Sequence, residues 1–145
     1  MNWEITELVV KISVSDIAVA QQFYTDVLGF QVDERWTLNK GGNFGEYSYM
    51  QLNCVSQGKL LFALGLFKDI AKPFDPLPQT GSVPSLIVTD LDATLAYLHA
   101  QHVVIDKIDG KIIQTDISAQ GYEDRYFFFR DPDNNSLVMR QNMNA

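Results

Sequence analysis

The stretch VSDIAVAQQFYTDVLGF (residues 14–30) decides the fold, because VTDLDATLAYLHAQHVV (88–104) repeats its plan further along the chain. Asp16 then meets Asp90 (90 − 16 = 74), and at the same offset Ile17 meets Leu91, Phe23 meets Tyr97 and Phe30 meets Val104. Both stretches follow an apolar or alternating run, pass through an Asp and enter helical spacing. Such an order of elements is the signature of an internal repeat. In the first copy, LVVKISV (8–14) reads as a strand by its period-two alternation. Asp16 is a suitable N-cap, since its carboxylate can take free amides of the first turn. Ile17, Ala20, Phe23, Tyr24, Val27 and Leu28 recur at helical spacing, and Gly29 ends the helix.

Outward from that stretch, three β-like segments follow: 30–38, 46–52 and 59–67, joined by the turns KGGNFG and NCVSQG. The second copy predicts a strand at 84–89, a helix from about 91 to 102, and strands near 104–107, 111–117, 125–130 and 136–140. The expected class is α+β, with two βαβββ modules in one domain spanning 1–145. Module one covers 1–67, a Pro-rich connector 68–83, and module two 84–145. No GxGxxG or GxxxxGK[ST] string occurs, so a nucleotide-binding reading lacks its phosphate loop.

Eleven Lys and Arg against eighteen Asp and Glu give a formal charge of -7, which argues against a nucleic-acid partner. The single cysteine, Cys54, forbids an intrachain disulfide and a cysteine-based metal cluster, and reads as a small buried hydrophobe. No run approaches the length of a membrane span, and MNWEITE carries acids where a secretory signal would be basic. The expectation is a cytoplasmic chain with no membrane partner.

The segments 14–30 and RYFFFRDPDNNSLVM (125–139), supported by LIVTDLDATLAYL (86–98), make the chain similar to the vicinal oxygen chelate superfamily. That superfamily includes glyoxalase I, bleomycin-resistance proteins and extradiol dioxygenases. The resemblance implies that the modules form a U-shaped, partly closed barrel, with helices outside and a cavity inside. It also implies four divalent-metal donor positions, which fall here at Val9, Ala63, Val83 and Val138. None of these side chains carries a lone pair, so no metal and no other cofactor is expected. His99 and His102, three residues apart, lie on the second helix, away from the inherited cavity, and are read as surface or helix-end residues.

Strand phase then nominates what the cavity carries instead. Lys11 and Ser13 share the phase of Val9, Ser85 that of Val83, and Ser136 and Arg140 that of Val138. Trp36, Tyr47, Tyr49, Phe127 and Phe129 are the aromatic candidates for stacking surfaces. These ten residues form the expected ligand site, with no catalytic residue among them. DPDNN (131–135) reads as a turn in which Asn134 takes the left-handed place the family usually gives to Gly.

The favoured function is a non-catalytic small-molecule-binding protein of the bleomycin-resistance type, holding an antibiotic or metabolite in the inter-module cavity and forming a homodimer. Two alternatives stand beside it. One is a metal-dependent glyoxalase-like lyase, isomerase or dioxygenase. The other is a structural or regulatory partner-binding domain.

Overall fold

The structure, a computed structural model, describes residues 8–38, 44–45, 48–68 and 82–144. The chain divides into two compact units, Met1–Ser82 and Val83–Ala145. The first unit runs β1 (Val9–Ser13), α1 (Ile17–Gln22), a π-helical turn (Phe23–Val27), β2 (Gln31–Leu38), β3 (Tyr49–Ser56) and β4 (Lys59–Phe67). Its sheet has the order β1-β4-β3-β2, with β1 parallel to β4 and the other pairs antiparallel. The second unit runs β5 (Ser85–Ile87), α2 (Leu91–Ala100), β6 (Gln114–Ile117), β7 (Glu123–Arg130) and β8 (Ser136–Asn142). The sheet order β5-β8-β7-β6, with β5 parallel to β8, repeats the first topology. The fold is α+β, built from two βαβββ modules.

Both helices start as the repeated Asp predicts. Asp16 Oδ1 accepts the N–H of Val19 at 3.1 Å, and Asp90 Oδ1 accepts that of Ala93 at 2.9 Å. Each cap residue is itself extended, which turns the chain from strand into helix. The first helix then widens: the Leu28 N–H donates to the Phe23 carbonyl at 3.2 Å, five residues back. Phe23 and Tyr24, neighbours in sequence, are both buried there, with ring centres 5.1 Å apart. Gly29, at φ 77, ends this stretch.

Each helix covers one face of its own sheet. In module one Ile17, Ala20 and Tyr24 are buried with Ile12, Met50, Leu52, Leu64 and Leu66. In module two Leu91 and Leu98 are buried with Phe127, Phe129, Leu137 and Met139. Full burial of such a side chain contributes about 1.5–3 kcal/mol, so alternation fixes which face the helix takes. Gln141, on the same face, accepts the Leu91 N–H at 2.8 Å and ties the start of α2 to β8.

Several boundaries depart from the sequence expectations. NCVS is strand, because β3 runs to Ser56 and the hairpin closes on Gln57–Gly58 alone, both at positive φ. The strand expected at 104–107 is a single bridge, Ile105 to Phe129. Beyond it the chain makes a tight turn at Asp109–Gly110, again with both φ positive, before β6 begins. The helix expected to reach His102 stops at Ala100. His102 lies past its end at φ 60, its N–H on the His99 carbonyl and the Val103 N–H on that of Leu98. These are the two closing bonds of a Schellman cap. The two histidines therefore do not share a helix face. Among the described residues, no helix is long and apolar enough to cross a membrane.

Candidate functional site

The face of each sheet that its helix leaves free is read directly from the register. In module one, cross-strand partners place Lys11, Gly65, Gln51 and Asp33 in one row. Val9, Ala63, Asn53 and Gln31 form the next row, and Ser13, Phe67 and Tyr49 the row on the other side. Lys11 Nζ lies 4.6 Å from the centre of the Phe67 ring and 5.8 Å from that of Tyr49. The Tyr49 hydroxyl donates to Gln51 Oε1 at 3.0 Å, which lays the phenol across Gly65.

At the far end of the Lys11 row, Asp33 is buried and fully engaged. The Arg35 guanidinium donates through Nε at 3.0 Å and Nη2 at 2.7 Å, and Asn53 Nδ2 donates at 3.2 Å. Chiefly through the Arg35 hydrogen bonds, its carboxyl is held down at about 2, against an ordinary 3.8. Burial opposes that shift and loses. Asp33 is thus a fixed anion that organises β2: its Oδ1 also takes the Arg35 backbone N–H, and its carbonyl takes the Thr37 hydroxyl. Asn53 Oδ1, by contrast, is buried and accepts no hydrogen bond from the described residues.

In module two, one row of the helix-free face holds Ile87, Arg140, Tyr126 and Gln114, and the next Ser85, Val138 and Phe128. Ser136 pairs with Arg130 further along. On the other side, Asp124 stands between Asn142 and Asp116. The Tyr126 hydroxyl donates to Asp116 Oδ2 at 2.8 Å, and that bond, before burial, raises the tyrosine's pKa. Arg140 Nε lies 3.4 Å from Asp124 Oδ2, an ion-pair contact in which Nε makes no hydrogen bond with the described residues. Arg130 is committed elsewhere, to Asp106, with Nη2 at 2.6 Å from Oδ2.

The structure places Lys11, Ser13 and Tyr49 on the free face of module one, and Ser85, Ser136 and Arg140 on that of module two. Trp36 is 55% exposed and lies where the β2 register shifts, outside the paired rows. Tyr47 lies outside the described residues. Phe127 and Phe129 require correction. Both are fully buried, paired with Met139 and Leu137 on the helix-covered face, and so are core residues. In RYFFF the aromatics that face the other way are Tyr126 and Phe128, whose rings meet edge to face at 5.9 Å. Five aromatic or basic residues in succession conceal the phase. The Arg140 partner, Tyr126, supplies it only once the pairing is known. Phe67, Gln51 and Asn53 were also missed, although they stand in phase with Gly65 and Tyr49.

The donor positions inherited by resemblance can be tested on the same register. Val9 is paired with Ala63 on the free face of module one. Val138 lies on that of module two, and Val83 is 44% exposed just before β5. Alkyl side chains have no electron pair to give, so this set does not fit a divalent ion. Among the described residues, no three His, Cys, Asp or Glu side chains come together in a way that could hold a metal.

A family model described as the Glyoxalase/Bleomycin resistance protein/Dioxygenase superfamily matches residues 8–139. The chain belongs to this superfamily. Several solved structures share this fold. TnmS3, an antibiotic-binding protein from Streptomyces sp. CB03234, is 23% identical with a TM-score of 0.64, over 97% of this chain and 99% of its own. The virulence protein STM3117 of Salmonella typhimurium is 21% identical at a TM-score of 0.63, covering 97% and 98%. An integron cassette protein from the mobile metagenome of V. cholerae is 24% identical at 0.60, also covering 97% and 98%. No match was found among curated proteins. At these identities the structural likeness is one of fold, and function rests on the residues.

Proposed function

We propose that this chain is a non-catalytic member of the glyoxalase superfamily that binds a small organic molecule, an antibiotic or a metabolite. The observation that carries the reading is the pairing of Val9 with Ala63 beside Lys11, Phe67 and Tyr49. Where the resemblance implies metal donors, this face offers alkyl groups flanked by aromatic rings and one cation. That mixture suits the binding of an organic ligand, which needs apolar surface and a few placed polar groups. On module two, Arg140, Tyr126, Phe128, Ser85 and Ser136 supply a similar mixture.

Catalysis has little to draw on among the groups whose pKa values move. Asp33 is held low by Arg35, while Cys54, Tyr126 and Arg130 all move upward, away from neutrality. A general acid or base works best with a pKa near the working pH. The description of TnmS3 as antibiotic-binding agrees with the binding reading. We further propose that the protein works as a cytoplasmic homodimer, which light scattering at micromolar concentration tests.

The deciding experiment is a thermal-shift screen with a chemically broad ligand panel. A compound that binds only the folded state must raise the melting temperature. Stabilisation by at least one organic compound is expected, alongside well under one equivalent of zinc, nickel, iron or manganese by elemental analysis. Stoichiometric metal with turnover of a glyoxalase-type substrate would favour the enzyme alternative. A flat screen would favour the partner-binding alternative.

A further inference from the structure

We infer that the helix-free face of module one takes a planar aromatic anion, a carboxylate or phenolate, anchored on the Lys11 ammonium. The inference rests on the binding reading above and adds the ligand's charge, which the overall charge of -7 would assign the other way. Lys11 is the reason. Among the described residues its ammonium has no carboxylate or carbonyl partner, and its two contacts are the rings of Phe67 and Tyr49. Aromatic faces attract a cation but leave its charge uncompensated. The nearest acid on its row, Asp33, is already bound by Arg35 and Asn53 and is separated from Lys11 by Gly65 and Gln51.

The surface beside that cation is shaped for a flat molecule. Gly65 removes a side chain from the middle of the row, and the Tyr49 phenol lies over the gap, braced on Gln51. Val9, partly exposed and paired with the fully buried Ala63, continues the surface with a small apolar group. A second feature also points to a ligand. Asn53 Oδ1 is a buried acceptor that finds no donor among the described residues, one row from Lys11 on the same face. Buried acceptors are rarely left unmet. A ligand N–H or O–H distal to the anion would meet this one, and the Gln51 amide nitrogen, in the neighbouring row, donates to none of the described residues. The complementary molecule carries an anion, an aromatic body and a hydrogen-bond donor.

The test uses the full chain and three probes of one shape: 6-hydroxynaphthalene-2-carboxylate, the corresponding carboxamide and the corresponding aminomethyl cation. Dissociation constants are measured by calorimetry for the unsubstituted protein, Lys11→Met and Lys11→Arg. The carboxylate should bind about tenfold more tightly than the carboxamide, and the cation least. Lys11→Met, which keeps the stem and removes the charge, should weaken the carboxylate about tenfold and leave the carboxamide unchanged. Lys11→Arg should restore most of the loss. Equal binding of carboxylate and carboxamide, preference for the cation, or a Lys11→Met protein that binds the carboxylate normally would each overturn the anion assignment. In those cases the binding reading survives, because a probe still binds. Absence of binding by all three probes also overturns the assignment, and the broad thermal-shift panel then decides the binding reading separately.

Discussion

The Tyr49 phenol occupies the space in which a side chain on Gly65 would begin. An ideal Cβ there would stand 2.6 Å from Tyr49 Oη and 2.7 Å from its Cε2. Gly65→Ala must therefore displace the ring and break its hydrogen bond to Gln51. Overpacking of this kind costs about 1–3 kcal/mol. Urea unfolding should show that loss, and the double variant Gly65→Ala with Tyr49→Ala should recover part of it, since the two residues share one space. Additive losses would mean that the ring is not the obstacle.

The Asp33 carboxylate makes stability depend on acid. Its pKa in the fold, about 2, lies below the ordinary 3.8, so the contribution is fully present above about pH 4 and is lost as pH falls through 2. Arg35 is 70% exposed on its side chain, and solvent screening limits the pair's worth. Asp33→Asn should then cost about 1 kcal/mol at pH 7. The difference from the unsubstituted protein should shrink between pH 4 and pH 2 in parallel denaturation series. A difference that stays constant over that window would assign the effect to packing.

Legibility in the sequence followed the strength of local signals. Asp16 and Asp90 are caps because a carboxylate ahead of a helical apolar pattern has amides to bind, and both do so. The strand phases of Lys11, Ser85 and Arg140 were readable because alternation with valine, isoleucine and leucine is clean there. RYFFF carried no such contrast, and the two phenylalanines assigned to the ligand face, Phe127 and Phe129, lie in the core. The Lys11 contacts with Phe67 and Tyr49 depend on pairing across three strands, β1, β4 and β3. Local sequence does not encode such pairing. The tight turn at Gln57–Gly58 shifted a boundary because a two-residue hairpin needs so little sequence that its flanking residues stay in strand, whereas Asp109–Gly110 is flanked only by the isolated bridge Ile108–Lys111.

The turn after β7 carries a further expectation. Asn134 adopts the left-handed conformation expected of it, at φ 65. Asn134→Ala should cost about 1 kcal/mol, because it removes the short polar side chain that lets Asn adopt that region, and Asn134→Gly close to nothing, because Gly has no Cβ for it to penalise. Asp131, buried in the same turn, accepts the N–H groups of Asp133 and Asn135 at 2.9 and 2.8 Å and the Asn135 side chain at 2.9 Å. Asp131→Ala leaves those donors unmet and should cost more than Asn134→Ala in the same thermal or urea assay. The reverse order would place the turn's stability in backbone conformation alone.

Arg140 separates a structural role from a ligand-binding one by opposite signs. Its Nε faces Asp124 Oδ2 at 3.4 Å without a hydrogen bond, and both side chains are partly exposed, at 39% and 31%. A pair so placed contributes about 0–1 kcal/mol, so Arg140→Ala should change unfolding free energy by less than about 1 kcal/mol. As a ligand group the same fork is worth more. Losing a charged hydrogen bond to an anion costs about 1.5–3 kcal/mol of affinity. Asp124 competes for that fork, and Asp116, directly across the sheet, shares its sign. Asp124→Asn should therefore tighten binding of an anionic ligand on module two and leave stability nearly level, since it removes a like-charge neighbour together with an ion pair. Calorimetric titration and urea unfolding of the two variants test both signs. If Arg140→Ala lowers stability by more than it lowers affinity for an anion on module two, and Asp124→Asn weakens that anion's binding, Arg140 is a brace for β7 and β8 and leaves the ligand site.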